Sequence, residues 1–142
     1  MFAKQLTVFI ENRAGRLSEV LGVLKNHKVN ILSLSLADTT EFGLLRLIVD
    51  NAARGKEALT ENGFSSLLSD VSIIQIRHES GSLGELLKVI DENGVNIEYM
   101  YGLSIDSDKA YVVLKASDVA KVDEILTDNG VRTISCEELA NL

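Results

Sequence analysis

The sequence predicts an α+β protein made of two tandem copies of one βαββαβ unit, with antiparallel sheets and helices on one face. Three observations carry that expectation. The chain repeats itself at an offset of 66 residues; the apolar spacing switches from alternation to a helical period just after a glycine in each repeat; and the 142 residues contain no proline, so Gly, Asn, Asp and Ser must make every turn.

The repeat places Gly15 on Gly81, Leu17 on Leu83, Glu19 on Glu85, Leu21 on Leu87 and Val29-Asn30-Ile31 on Val95-Asn96-Ile97. Further on, Leu44 to Val49 fall over Ala110 to Lys115, and one slipped residue later Asn62-Gly63 falls over Asn129-Gly130. Two copies account for the whole chain, 1–70 and 71–142.

Each element follows from local pattern. Gln5 to Glu11 and Ser72 to Arg77 are rich in β-branched and apolar residues and read as strands. After Gly15, the residues Leu17, Val20, Leu21 and Leu24 keep the i, i+3, i+4, i+7 spacing of an amphipathic helix, and Leu83, Leu86, Leu87 and Ile90 repeat it. Asn93-Gly94 supplies a left-handed stop in the second copy, where the first has the weaker His27-Lys28. Leu32, Leu34 and Leu36 alternate with Ser33 and Ser35, the pattern of a half-buried strand, and Gly43 to Asp50 is a third strand apolar on both faces. Ala52 to Asn62 and Asp118 to Asn129 are helices closed by Gly63 and Gly130, followed by short strands at Phe64 to Leu68 and Val131 to Ser135. Ser69-Asp70-Val71 is the whole link between copies. The order is that of the ferredoxin-like plan. Since helices cover one face of each sheet, the second apolar face of Leu44 to Val49 predicts packing against another sheet, and with it a homodimer.

Composition narrows the function classes. Forty-six per cent of residues are apolar and 25% are charged, a globular balance. The net charge of −7 opposes binding to phosphate backbones, so nucleic acid is not expected. No apolar run approaches the roughly 18–20 residues needed to cross a bilayer, and Met1 to Thr7 carries no hydrophobic signal region, which together predict a cytoplasmic protein without a membrane partner. Cys136 is the only cysteine and reads as a small, partly buried apolar residue.

Catalytic candidates are thin. His27 and His78 occupy different positions of the repeat, which gives no support to a shared metal site; His27 reads as a helix-end cation. Asp106-Ser107-Asp108 lacks the spacing of a calcium loop and reads as a hairpin loop. Glu19 and Glu85 complement helix dipoles, and Ser82-Leu83-Gly84-Glu85 fits a capping box. No glycine pattern for a nucleotide is present, so no cofactor and no metal are expected. What does recur is the strand-to-helix turn Glu11 to Leu17, answered by Arg77 to Leu83. Its first helical amides have no partner within the helix and carry the positive end of the dipole, which suits a carboxylate.

Glu11-Asn12-Arg13-Ala14-Gly15-Arg16-Leu17 followed by Val29-Asn30-Ile31 resembles the signature of the ACT domain, a βαββαβ module through which amino acids regulate metabolic enzymes. The resemblance covers nearly the whole chain twice, and the first copy is similar to the modules of acetolactate synthase regulatory subunits and of phosphoglycerate dehydrogenase. It implies a free amino acid held between the turn of one module and the second strand of its neighbour. Carried over, the ligand-binding set is Asn12, Ala14, Gly15, Arg16, Leu17, Asn30 and Ile31 in the first copy, and His78, Ser80, Gly81, Ser82, Leu83, Asn96 and Ile97 in the second. Ala14 and Ser80 stand where the family usually has proline, and His78 stands where it has asparagine. Ile10 replaces a histidine of serine-binding modules, which removes the reason to expect serine.

The expectation is therefore a non-catalytic, amino-acid-binding regulator. A second reading makes the chain a regulatory subunit of a separate biosynthetic enzyme, acetolactate synthase-like; a third is a small enzyme with a site between domains, for which no acid–base pair is evident.

Overall fold

The computed structural model describes residues 2–38, 41–77, 79–104 and 109–142. In chain order the elements are β1 (Ala3–Glu11), α1 (Arg16–Asn26), β2 (Ile31–Asp38), β3 (Phe42–Val49), α2 (Ala52–Glu61), β4 (Ser65–Arg77), α3 (Ser82–Glu92), β5 (Ile97–Ser104), β6 (Lys109–Ala116), α4 (Val119–Asp128), β7 (Thr133–Ile134) and α5 (Cys136–Ala140). They form two compact units: Lys4–Ser69 together with Cys136–Asn141, and Asp70–Ser135 with a few terminal residues. The Asp106-Ser107-Asp108 loop lies outside the described residues.

The first unit orders its strands β4-β1-β3-β2 and the second β7-β4-β6-β5. In the first, β1 runs antiparallel to β3 with Leu6 opposite Leu47 and Ile10 opposite Gly43, and β3 pairs with β2, Leu34 opposite Leu47. The second repeats this with Ile74 opposite Val112 and Met100 opposite Leu114. Both are α+β units of the expected antiparallel, ferredoxin-like kind.

Alternation explains the cores. Leu6, Val8 and Ile10 of β1 and Leu45, Leu47 and Val49 of β3 point to one face, where Val20 and Leu24 of α1 and Leu59 of α2 cover them. In the second unit Ile74, Leu114 and Ala116 meet Leu86 and Ile90 of α3 and Val122, Ile125 and Leu126 of α4. Burying each such aliphatic side chain contributes about 1.5–3 kcal/mol.

The helix ends show how the sequence sets each turn. Asn51 and Asp118 cap α2 and α4, their side-chain oxygens accepting from the amides of Arg54 and Lys121 at 3.1 and 3.0 Å. At the end of α3, Gly94 has φ +72°; its counterpart Lys28 is held at φ +57°, the one described non-glycine residue with positive φ. The weaker stop thus completes the same left-handed turn at a steric cost of about 1–2 kcal/mol. His27 Nδ1 donates to the Val23 carbonyl at 2.9 Å across that turn.

Four expectations change. The Ser69-Asp70-Val71 link does not exist as a loop, because β4 runs unbroken through 13 residues and serves both units. The final strand shrinks to Thr133–Ile134, and the following residues form a helix, α5, whose Leu139 is buried. Leu34 and Leu36 stay 51% and 47% exposed, since β2 is an edge strand beyond the reach of the two helices. Ser82 makes no capping box: Gly81 takes the cap position and Ser82 is the first helical residue.

Candidate functional site

The two strand-to-helix turns are the same object built twice. Gly15 and Gly81 each cap a helix with φ +88°, a conformation in which an L side chain is strained. Around them the amides of Arg13 and Glu79 donate to the carbonyls of Glu11 and Arg77, both at 2.9 Å. Arg16 N donates to Arg13 O at 3.4 Å, and Ser82 N to Glu79 O at 3.3 Å. The first ordinary helical bonds are Glu19 N to Gly15 O, 3.0 Å, and Glu85 N to Gly81 O, 2.9 Å.

This accounting identifies the donors left over. The Arg16 and Ser82 amides are taken up by their turns, whereas those of Leu17 and Ser18, and of Leu83 and Gly84, donate to no described acceptor. They face outward at the positive end of a helix dipole, where a carboxylate gains two hydrogen bonds and a favourable field. The glycines contribute conformation and not clearance: a Cβ added at either would meet nothing within 4 Å.

Asn12 and Asn30 do not meet within the unit. Asn12 N donates to Glu41 O at 3.1 Å, beside the start of β3, where Phe42 lies opposite Glu11. Asn30 sits at the other end of that strand, beside Asp50, with Ile31 opposite Val49. Eight residues of β3 put on the order of 20 Å between them. The second unit repeats the arrangement, with Arg77 opposite Lys109 at the turn and Asn96 beside Ser117 at the far end.

At that far end each copy has a shallow depression. Asn30 and Ile31 line one with Leu21, Lys25, Lys28 and Val29, and Asn96 and Ile97 line the other with Leu87, Lys88, Asp91 and Val95. The side chains of Asn12, Asn30 and Asn96 are exposed and bond to no described group. Ala14 and Ser80 are exposed beside the glycines, and Arg16 folds back to pair with Glu19 at 2.6 Å. His78 lies outside the described residues. Among those residues no three His, Cys, Asp or Glu side chains cluster as a metal site, and no helix is long and apolar enough to cross a membrane.

Sequence reasoning missed Asp50. Its carboxylate fixes the entry of β2 by accepting from Asn30 N at 3.0 Å. The residue after the third strand recurs as Ser117, which donates to the Asn96 carbonyl, but the change of type hides the correspondence.

Comparison with known proteins agrees with the architecture. A family model described as an ACT domain pair matches residues 1–142. The crystal structure of protein BT0572 from Bacteroides thetaiotaomicron is 36% identical, covers 100% of this chain and 98% of its own, and superposes with a TM-score of 0.94. The ligand-free regulatory subunit of aspartate kinase from Thermus thermophilus shares 17% identity over 88% of this chain and 91% of its own, with a TM-score of 0.62. The corresponding subunit from Thermus flavus shares 14% over 90% and 93%, with a TM-score of 0.56. No curated protein matches the sequence.

Proposed function

The chain belongs to the ACT domain pair family, and from that membership we propose that it is an amino-acid-binding regulatory protein with no catalytic centre of its own. ACT domain pairs are typical of amino-acid-sensing regulatory proteins. The observation that carries the reading is the duplicated turn: two glycines at φ +88°, each followed by two unengaged amides. A zwitterion requires donors for its carboxylate and acceptors for its ammonium; the Leu17/Ser18 and Leu83/Gly84 amides offer the former and Asn side chains the latter. Because Asn12 and Asn30 stand at opposite ends of a unit, each complete site draws on two units. The exposed Leu34 and Leu36 on the edge strand β2 support self-association into a homodimer, which sedimentation would read.

A thermal-shift panel of the twenty amino acids tests the proposal. A ligand at a hundred times Kd that binds only the folded state adds about 2.7 kcal/mol of stability. A shift by one amino acid, or a small related group, is expected; a flat panel refutes the reading.

A second reading adds a partner enzyme. Residues 71–142 hold 13 acidic and 6 basic side chains, whereas residues 1–70 hold 8 of each, so the second half is suited to a basic protein surface. The two Thermus relatives are themselves titled regulatory subunits of aspartate kinase, a similarity that concerns fold. A stoichiometric enzyme recovered with the tagged protein at low salt, and released by salt, would establish this form.

A further inference from the structure

The two units differ sharply at one place. In the second, a cavity of about 670 Å³ opens between α3, α4 and β4, with Ile76, Leu86, Val89, Ile125, Leu126 and Val131 as its apolar walls. The same place in the first unit is filled by the chain itself. Phe64, the counterpart of Val131, is buried there, and the Arg16 guanidinium, at the counterpart of Ser82, lies 4.5 Å from the centroid of its ring. Arg16 in turn pairs with Glu19. One unit thus carries a stacked ring, cation and carboxylate of its own where the other, with Ser82 and Val131, carries an opening.

The rim of that opening is unusual for its surroundings. Three of the six basic residues in the acidic second half, Arg77, Lys109 and Arg132, line this one cavity, together with Glu79 and Glu85. Its volume falls within the range of about 300–1,000 Å³ typical of small-molecule sites, which pair apolar walls with a few polar groups. A merely water-filled cleft gives no reason for cations to gather where the half-chain is otherwise rich in carboxylates.

We propose that this cavity is a second ligand site, separate from the turns, and that it takes an aromatic carboxylate of about the size of phenylalanine. The ring occupies the space that Phe64 fills in the first unit. The carboxylate faces Arg77, Lys109 and Arg132, and an ammonium, where the ligand has one, faces Glu79 and Glu85. The site is contained within the second unit and needs no partner.

Calorimetry with L-phenylalanine and with phenylacetate, on the full chain, tests the proposal. Both should bind, the amino acid more tightly because phenylacetate leaves Glu79 and Glu85 without a cation. Val131→Phe, which rebuilds the ring of the first unit, should abolish binding of both, while Asn12→Ala, at the other candidate site, should leave it unchanged. If Val131→Phe fails to melt cooperatively, Lys109→Ala serves instead: the residue is exposed, and its loss should weaken binding about tenfold or more. Absence of binding by either compound overturns the proposal, as does binding that survives both cavity variants or that is lost only in Asn12→Ala. A flat result here leaves the turn sites to be judged by the amino-acid panel.

Discussion

Asn30 and Asp50 are bonded twice: Asn30 N donates to Asp50 Oδ1 and Asp50 N donates to Asn30 O, both at 3.0 Å. The pair ties the entry of β2 to the exit of β3 and so positions the asparagine carried over as a ligand contact. Asp50→Ala removes one of the two bonds. It should lower the unfolding free energy by about 0.5–1.5 kcal/mol, read as a reduced denaturant midpoint at unchanged slope; an unaltered midpoint would mean that the carboxylate contact is lost in solution.

Asn12→Ala separates binding from folding. Its side chain has no described partner, so the melting temperature without ligand should not move. Affinity for the amino acid at that turn should fall by about one to two powers of ten, the worth of a hydrogen bond to a charged group. Calorimetry on wild type and variant decides the point; equal affinity would place the ligand elsewhere.

Gly15→Ala acts through the backbone. The added methyl meets nothing, yet at φ +88° it should cost about 1–2 kcal/mol of stability or force the turn to rearrange, with loss of ligand affinity as the second sign. Thermal unfolding of Gly15→Ala and Gly81→Ala should show similar losses, because the two turns share their geometry.

Lys28→Gly should do the reverse. The lysine holds φ +57° where the second unit has Gly94, so glycine relieves strain there but gains freedom in the unfolded chain. The net expectation is stabilisation of up to about 1 kcal/mol, measured by chemical denaturation; destabilisation would show that the lysine side chain contributes more than its backbone costs.

Much of this architecture was legible because the signals are local and stated twice. Repetition located both turns, and the switch from alternation to helical spacing located α1 and α3. What stayed hidden depends on pairing at a distance. Ser65, Ser66, Ser69 and Asp70 are turn-forming residues, yet neighbouring strands hold them extended within β4. The short α5 is below the length at which a period can be recognised. Ser82 and Glu85 have capping-box spacing, but the left-handed Gly81 moves the cap back by one residue. The cavity of the second unit arises from differences between the copies, Ser82 for Arg16 and Val131 for Phe64, whereas comparison of repeats reads their identities.

Cys136 gives a pH test. Burial pushes its thiol pKa up, against a weaker opposing effect of the hydrogen bond to the Lys4 carbonyl. Between the unfolded thiol pKa, near 8.5, and the raised folded value, the native state keeps a proton that the unfolded chain gives up. The resulting contribution is intact below this window and is lost as pH rises through it. Melting temperatures from pH 7.5 to 10 should fall more steeply for wild type than for Cys136→Ala. Identical slopes would show the thiol to be solvated.

The contact between Cys136 and Lys4 joins residues 132 positions apart, and α5 belongs to the unit built from the beginning of the chain. The ribosome, adding about 5–20 residues per second, therefore delivers Lys4 on the order of ten seconds before the segment that finishes its unit. During that interval the emerging half lacks Leu139, which is 2% exposed in the finished protein. The order of manufacture is thus the reverse of the order of completion: the half made first is sealed last.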